Sequence, residues 1–177
     1  VFEDLLPRIA TLNGVDRVVV VKSYLDRGSA LAIIDAEAMK IIAETPPIGH
    51  AHAWLNPAGV ADFDGNGTTD IAVVRQPHVV GLLQLWSWQN QQLRKVAEVP
   101  DVSNHFIGSK ALGMSWTADF DADGRSVVST DLLVDDDDDS EAAKTKKQDD
   151  FLLAEYGSIA QAYFNTTTTI ATFFRNY

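Results

Sequence analysis

Residues 59–74 read GVADFDGNGTTDIAVV, an acidic cluster between two apolar runs. Three carboxylates and one amide oxygen fall within nine residues, at Asp62, Asp64, Asn66 and Asp70. The flanking runs favour β-strands. Hard divalent cations prefer oxygen ligands, and carboxylates held this close repel one another unless a cation lies between them. The stretch therefore predicts a cation site between two strands.

The spacing of the oxygen-bearing residues indicates which cation. Asp62, Asp64 and Asn66 take positions 1, 3 and 5 of the loop, and Asp70 takes position 9. Thr68 offers its backbone carbonyl at position 7. Calcium takes about six to eight oxygens at about 2.3–2.6 Å, so we predict Ca²⁺ as the cofactor. The alternative is a turn rich in Asp and Gly that only caps the strand ends.

An EF-hand is excluded by the second half of the loop. Gly67 stands at position 6, as in an EF-hand, but position 12 holds Val73 where a bidentate Glu is needed. The flanking segments are strand-like and not helical. Gly65 and Gly67 supply the backbone freedom that so short a loop requires. The expected site is a strand–loop–strand calcium site.

Two other segments resemble this stretch. In ADFDADGR, Asp119, Asp121 and Asp123 fit positions 1, 3 and 5, and Arg125 offers its carbonyl. The ninth position holds Val127, so this second metal site stays open. The segment TLNG, residues 11–14, lacks carboxylates and predicts only a structural turn.

The interval between the three copies suggests the architecture. Their starting residues, Thr11, Asp62 and Asp119, are 51 and 57 residues apart. Such an interval holds about four short strands with their turns. Four-stranded units repeated radially are the blades of a β-propeller. We therefore predict an all-β fold of two to three propeller-type blades, incomplete or open, over residues 1–134.

Individual strands can also be read from the sequence. Apolar runs at 18–21, 30–34 and 39–43 predict three strands, and LLQLWSW at 82–88 with LRKVAEV at 93–99 predicts a hairpin that turns at Asn90 and Gln91. Residues 135–150, DDDDDSEAAKTKKQDD, predict a solvated acidic linker. Apolar residues at spacings of three and four predict an amphipathic helix early in residues 151–177, followed by an extended tail.

The motifs ADFDGNGTTDIAVV and ADFDADGR resemble the FG-GAP/VCBS repeats of integrin-like β-propellers. This resemblance covers residues 1–134. It implies calcium in the acidic loops. The function that we predict is non-catalytic, in protein binding or scaffolding. The implied ligands of the first loop are Asp62, Asp64, Asn66, Thr68 and Asp70, and those of the second are Asp119, Asp121, Asp123 and Arg125. Because a ring needs at least about four blades, the expected partners are other protein subunits or the remaining blades of a larger propeller.

Composition bounds the remaining possibilities. A formal net charge of -11 argues against nucleic acid as a partner. The absence of cysteine excludes disulfides and thiolate chemistry. No run is long and apolar enough for a membrane helix, and the first residues lack the pattern of a signal peptide. The chain does not begin with Met, which we interpret as a start inside a longer or processed product. An extracellular or periplasmic location is expected, with an organelle lumen or a peripheral position on a membrane complex as alternatives.

Other residues favour no catalytic function. None of the motifs for a nucleophile elbow, a phosphate loop, a zinc protease or a dinucleotide site occurs, so we predict a protein that is not an enzyme. His50 and His52 are expected as a loop or surface pair, and His78 and His105 as isolated residues that form hydrogen bonds in loops. The four tryptophans are expected between sheets, with a carbohydrate-binding face as the alternative. Two other functions stay open, namely an accessory subunit of a larger, membrane-associated complex and a carbohydrate-active propeller.

Overall fold

A computed structural model describes residues 2, 6–105, 107–109, 112–119 and 121–132. Residue contacts divide the chain into two compact units, Val1–Leu133 and Val134–Tyr177. All described residues belong to the first unit. The predicted acidic linker, 135–150, and the predicted amphipathic segment, 151–177, lie outside the described residues.

Every regular element in the described part of the chain is a β-strand, and every pairing is antiparallel. The prediction of an all-β fold is confirmed at this level. No helix that could cross a membrane is found among the described residues.

Two four-stranded sheets make up most of the unit. The first sheet has the order β1-β2-β3-β4 and consists of β1 (Arg8–Leu12), β2 (Val15–Tyr24), β3 (Gly28–Asp35) and β4 (Lys40–Glu44). The second sheet has the order β5-β6-β7-β8 and consists of β5 (Leu55–Ala61), β6 (Asp70–Arg75), β7 (Leu82–Gln89) and β8 (Gln92–Val99). Both sheets are meanders, because each strand pairs with the one that follows it in the chain.

Four shorter strands complete the unit. These are β9 (Val102–Ser103), β10 (Trp116–Ala118), β11 (Val127–Ser129) and β12 (Asp131–Leu132). Strand β10 pairs with β11, and β9 pairs with β12. All strands predicted from apolar runs are present, and the hairpin of β7 and β8 turns at Asn90 and Gln91 as predicted. Both turn residues have positive φ, 51° and 60°, which is the backbone of a tight hairpin turn.

The main core lies between the two large sheets. Its buried side chains come from β1, β2, β3, β5, β6 and β7: Ala10, Leu12, Val19, Val21, Leu31, Ile33, Leu55, Ile71, Val73 and Trp88. Alternation on β1 sends Ala10 and Leu12 into this core and leaves Ile9 exposed. Each fully buried aliphatic side chain contributes roughly 1.5–3 kcal/mol relative to an exposed one. The packing of sheet on sheet therefore stabilises the unit.

Strands β6 and β7 of the second sheet are buried on both of their faces, whereas β8 at the edge is largely exposed. On β7, Leu83 and Leu85 lie on one face and Gln84 and Trp88 on the other, and all four side chains are buried. The face away from the first sheet is approached by the short strands, since a Cβ added at Gly59 on β5 would collide with the side chain of Thr117 on β10. The second sheet is thus the middle layer of the unit.

The strands β9–β12 and the described residues between them form a third layer. A pair of buried asparagine side chains joins this layer to the second sheet. The Nδ2 of Asn56 on β5 donates to the carbonyls of Asn104 at 3.2 Å and Leu112 at 3.0 Å. The Nδ2 of Asn104 donates in return to the carbonyls of Asn56 at 3.4 Å and Pro57 at 3.3 Å. Both side chains are buried, so these bonds satisfy groups that cannot reach water.

Candidate metal centre

The candidate site is the loop that joins β5 to β6, residues 62–70, which we call the first acidic loop. Its carboxylates are the ones predicted from the sequence. Asp62, Asp64 and Asp70 each offer one oxygen, and these oxygens lie within 4.8 Å of one another. Residues up to eight positions apart in the chain are therefore brought to one point.

Hydrogen bonds inside the loop hold the acids in place. The two carboxylate oxygens of Asp62 accept from the backbone N–H groups of Gly65 and Gly67, each at 2.7 Å. Asp64 Oδ1 accepts from the Asn66 N–H at 3.1 Å. The glycines have φ of 75° and 80°, a region that strains other residues. The chain can therefore wrap closely around the Asp62 carboxylate.

The remaining predicted ligands lie in the same turn. Asn66 Oδ1 accepts from the Thr68 N–H at 2.7 Å, and Asn66 Nδ2 donates to Asp64 Oδ2 at 2.8 Å. The side-chain amide is thus oriented by its neighbours on both sides. The roles of Asn66 and of the Thr68 carbonyl as metal ligands stay predictions.

Asp70 differs from the other acids of the loop because it is fully buried. It is the first residue of β6, and its Oδ2 accepts from the Phe63 N–H at 3.2 Å. Its Oδ1 has no hydrogen-bond partner. A buried polar atom of this kind is costly unless a partner arrives. Asp70 thus presents an unpaired oxygen beside the two other carboxylates of the cluster.

The electrostatics of Asp70 agree with this picture. Burial raises the pKa of Asp70 to about 6, and repulsion from Asp64 and Asp62 adds to the increase. The Ser87 hydroxyl and the Phe63 N–H both lower the pKa of Asp70. Ser87 is the cross-strand neighbour of Asp70 on β7, and its hydroxyl lies outside hydrogen-bond geometry. A cation placed among the three carboxylates would reverse the repulsion and favour the ionised form.

The second acidic loop, residues 119–127, joins β10 to β11. Asp119, Asp121 and Asp123 again offer oxygens within 4.8 Å of one another, but all three are exposed. The Arg125 side chain forms an ion pair with Asp123 at 3.1 Å. The ninth position is Val127, the first residue of β11. This loop therefore has an acidic cluster without a buried acid, and part of its charge is already paired.

The loops of successive hairpins are bonded to one another. The Ser126 N–H donates to the Asp62 carbonyl at 2.8 Å, which joins the second acidic loop to the first. The Thr69 hydroxyl donates to the Thr11 carbonyl at 2.8 Å, which joins the first acidic loop to the end of the β1–β2 hairpin. In that hairpin, Asn13 and Gly14 form the predicted structural turn, with φ of 51° and 77°.

The histidines divide into two groups. His50 and His52 are exposed, in agreement with their prediction as surface residues. The prediction that His78 and His105 are isolated is wrong, because their Nδ1 atoms lie 3.1 Å apart. They are 27 residues apart in the chain, and no local spacing pattern links them. Only the third layer of the fold, which places the segment after β9 against the turn after β6, brings them together.

The tryptophans are buried to different degrees. Trp88 belongs to the main core and Trp86 packs against it, in agreement with the predicted position between sheets. Trp54 is half-buried, and its ring contacts the rings of His78 and His105. The four side chains therefore do not form one exposed aromatic face.

Comparisons with known proteins leave the family open. No protein-family model matches the chain, and no curated protein or solved structure is significantly similar to it.

Proposed function

We propose that this chain is a calcium-stabilised module of β-propeller type that acts, without catalysis, in protein binding or scaffolding. The observation that carries the proposal is the buried Asp70 carboxylate, whose Oδ1 has no partner and which lies beside Asp62 and Asp64. Folding has placed a costly group where a cation would compensate for it. A turn that merely caps strand ends needs no such residue.

The ligand set favours calcium over magnesium. Three carboxylates, the Asn66 amide oxygen and the Thr68 carbonyl give five candidate ligands, and a bidentate carboxylate or water completes the six to eight that calcium takes. Magnesium instead requires near-ideal octahedral geometry and dehydrates reluctantly. A loop of mixed carboxylate, amide and carbonyl oxygens suits the more adaptable ion.

Calcium in this loop would have a structural role. It would link the end of β5 to the start of β6, and the Asp62 carbonyl would pass that constraint to the next hairpin through the Ser126 N–H. Affinities of extracellular calcium modules lie at about 10⁻⁴–10⁻³ M. A site of this kind fits the extracellular or periplasmic location that we propose.

The arrangement of the sheets supports the propeller part of the proposal. Two four-stranded meanders of the same strand order pack face to face, and a third layer begins with a strand–acidic loop–strand hairpin like that of the second sheet. We propose that the two sheets are blades and that the short strands belong to a further blade. The remaining blades, or other protein subunits, would be the partners.

An apolar row on the first sheet favours a protein partner. Ile9, Val18, Ile34 and Ile41 are cross-strand neighbours in register, on the face opposite the core. Ile9 is 63% exposed and Ile41 41% exposed. Another protein sheet laid on this row would bury it. The same row favours the second candidate function, an accessory subunit of a larger complex, which measurement of the native mass would separate from a free monomer.

The proposal is tested by thermal unfolding of the same protein with calcium, with magnesium and with a chelator. We expect calcium to raise the midpoint in a concentration-dependent way, with magnesium much less effective, since binding to the folded state alone stabilises it. Isothermal titration should give one or two calcium ions per chain. An unchanged midpoint at saturating calcium, together with no titration heat, would remove the basis of the proposed function.

A further inference from the structure

His78 and His105 meet although they come from different segments. Their Nδ1 atoms are 3.1 Å apart, and their ring centroids are 4.9 Å apart. Two imidazole nitrogens bound to one metal ion at about 2.0–2.1 Å lie roughly 2.8–3.4 Å from each other, for angles at the metal between about 90° and the tetrahedral value. The observed separation falls inside that interval.

The hydrogen bonds of His105 fix which nitrogen is available. Its Nε2 lies 3.1 Å from the carbonyl oxygen of Ser109. Because a carbonyl can only accept, Nε2 carries the proton and Nδ1 turns its lone pair toward His78. Burial and the neighbouring His78 lower the pKa of His105, which keeps the ring neutral. A neutral ring whose second N–H is held by a carbonyl is the usual state of a metal-binding histidine.

The backbone holds both rings in position. Ser103 bonds twice to His105, since its hydroxyl accepts from the His105 N–H at 3.3 Å and donates to the His105 carbonyl at 2.8 Å. The turn that carries His78 is closed by three N–H groups that donate to the Gln76 carbonyl. The Val102 N–H, donating to the Gly81 carbonyl at 2.8 Å, ties the two segments together. The pair is therefore assembled before any ligand arrives.

Trp54 forms one wall of the pair. Its ring centroid lies 5.6 Å from that of His78 and 5.1 Å from that of His105. His105 is buried, whereas His78 is half-buried and is followed by the exposed Val79. An ion can thus approach from the His78 side while the inner ring stays fixed.

We propose that the Nδ1 atoms of His78 and His105 form a site for a divalent transition cation of the zinc class. Imidazole nitrogen suits Zn²⁺, Co²⁺, Ni²⁺ and Cu²⁺, whereas calcium prefers oxygen. In the metal-free pair, His78 donates its Nδ1 proton to His105. On binding, that proton leaves Nδ1 and the ring is protonated at Nε2, so no net proton is released. Water completes the coordination, and the bound ion stays exchangeable.

Titration with Zn²⁺ in the presence of saturating calcium tests this site separately from the acidic loops. We expect one zinc ion per chain, an increase in the midpoint of unfolding, and a tetrahedral visible spectrum with Co²⁺. His78→Ala should weaken zinc binding by roughly tenfold or more while leaving the fold intact by circular dichroism. His78→Gln, which keeps a polar side chain of similar length, is the second variant.

Matched controls decide the remaining outcomes. His52→Ala removes an exposed loop histidine and should leave zinc binding unchanged. Asp70→Asn should remove calcium binding by the first acidic loop and retain zinc binding, so failure of the proposed function and failure of this inference give different results. Absence of zinc binding to the wild-type protein, binding that survives in both His78 variants, or binding lost in His52→Ala would each overturn the proposal.

Discussion

The two acidic loops carry the same motif but differ at the ninth position. In the first, the strand begins with Asp70, which is fully buried and has an unpaired oxygen. In the second, the strand begins with Val127, and the three acids are exposed beside Arg125. Exposed acids lose little by facing water, whereas a buried carboxylate needs a partner. Burial of one acid, more than the number of acids, thus distinguishes the proposed ion site from the exposed acidic turn.

The largest expected effect is the difference between Asp70→Asn and Asp123→Asn in how much calcium stabilises the folded protein. Calcium at about 100 times its dissociation constant stabilises a one-site protein by about 2.7 kcal/mol, and Asp70→Asn should lose this gain. Asp123→Asn should keep it. Without calcium, Asp70→Asn should be as stable as the wild type or more stable, because the buried charge is gone. Chemical denaturation of each variant with and without calcium measures all of these values.

If Asp123→Asn removes the stabilisation by calcium and Asp70→Asn does not, the predicted difference between the loops is wrong. The second acidic loop would then be the one that binds calcium. Loss of calcium stabilisation in both variants would indicate that the two loops act as a single unit, which their hydrogen bond through Ser126 and Asp62 permits.

Acidity should affect the first loop about as strongly as calcium does. In the calcium-free protein, the pKa of Asp70 is raised from 3.8 to about 6. Between these values the folded state binds more protons than the unfolded state, so this residue makes stability fall as pH rises through that window. At about 1.4 kcal/mol per pKa unit, the loss over the whole window is on the order of 3 kcal/mol. Denaturant unfolding in chelator at a series of pH values measures this loss of stability. Asp70→Asn, which lacks the titrating carboxylate, is the reference variant.

The glycine at the fourth position gives a smaller effect. Gly65 has φ of 75°, and a Cβ there would lie 2.6 Å from the Arg125 side chain, whereas the second loop already has Ala122 at its fourth position with φ of 56°. Gly65→Ala should cost about 1–2 kcal/mol from backbone strain, with crowding by Arg125 added. Adding Arg125→Ala should relieve only the crowding. Equal costs in the presence and absence of Arg125 would argue against the contact.

The smallest effect is expected from the ion pair of the second loop. Arg125 and Asp123 are about one-third exposed, at 36% and 31% for their side chains. Arg125→Ala should therefore change the free energy of unfolding by less than about 1 kcal/mol, and the change should shrink at high salt. A loss of several kcal/mol that is insensitive to salt would show that Arg125 acts mainly by packing against Gly65.

The sequence predicted the local features of this chain well. Valine and isoleucine runs predicted the strands, and the alternation of acids with glycines predicted a loop whose carboxylates converge. These features depend on neighbours in the chain, so their periodicity is visible in the sequence. The family suggested by the motif and the ring of blades stay predictions, because they depend on more than one loop.

Long-range features were not predictable in the same way. Nothing near Asp70 in the sequence shows that its carboxylate is buried, since the second sheet becomes a middle layer only when the short strands pack on it. The meeting of His78 with His105 has the same cause. Both faces of β7 are buried, and the polar side chain of Gln84 gives no local sign of its burial.

The bonds that join successive hairpins have a mechanical consequence. The Thr69–Thr11 and Ser126–Asp62 hydrogen bonds join the ends of the β1–β2, β5–β6 and β10–β11 hairpins, one after another. Tension that separates the sheets would act on these two hydrogen bonds as well as on the apolar core. A cation held by the Asp62 side chain would stiffen the middle of that series, so the resistance of the module to stretching should depend on the ionic composition of its surroundings.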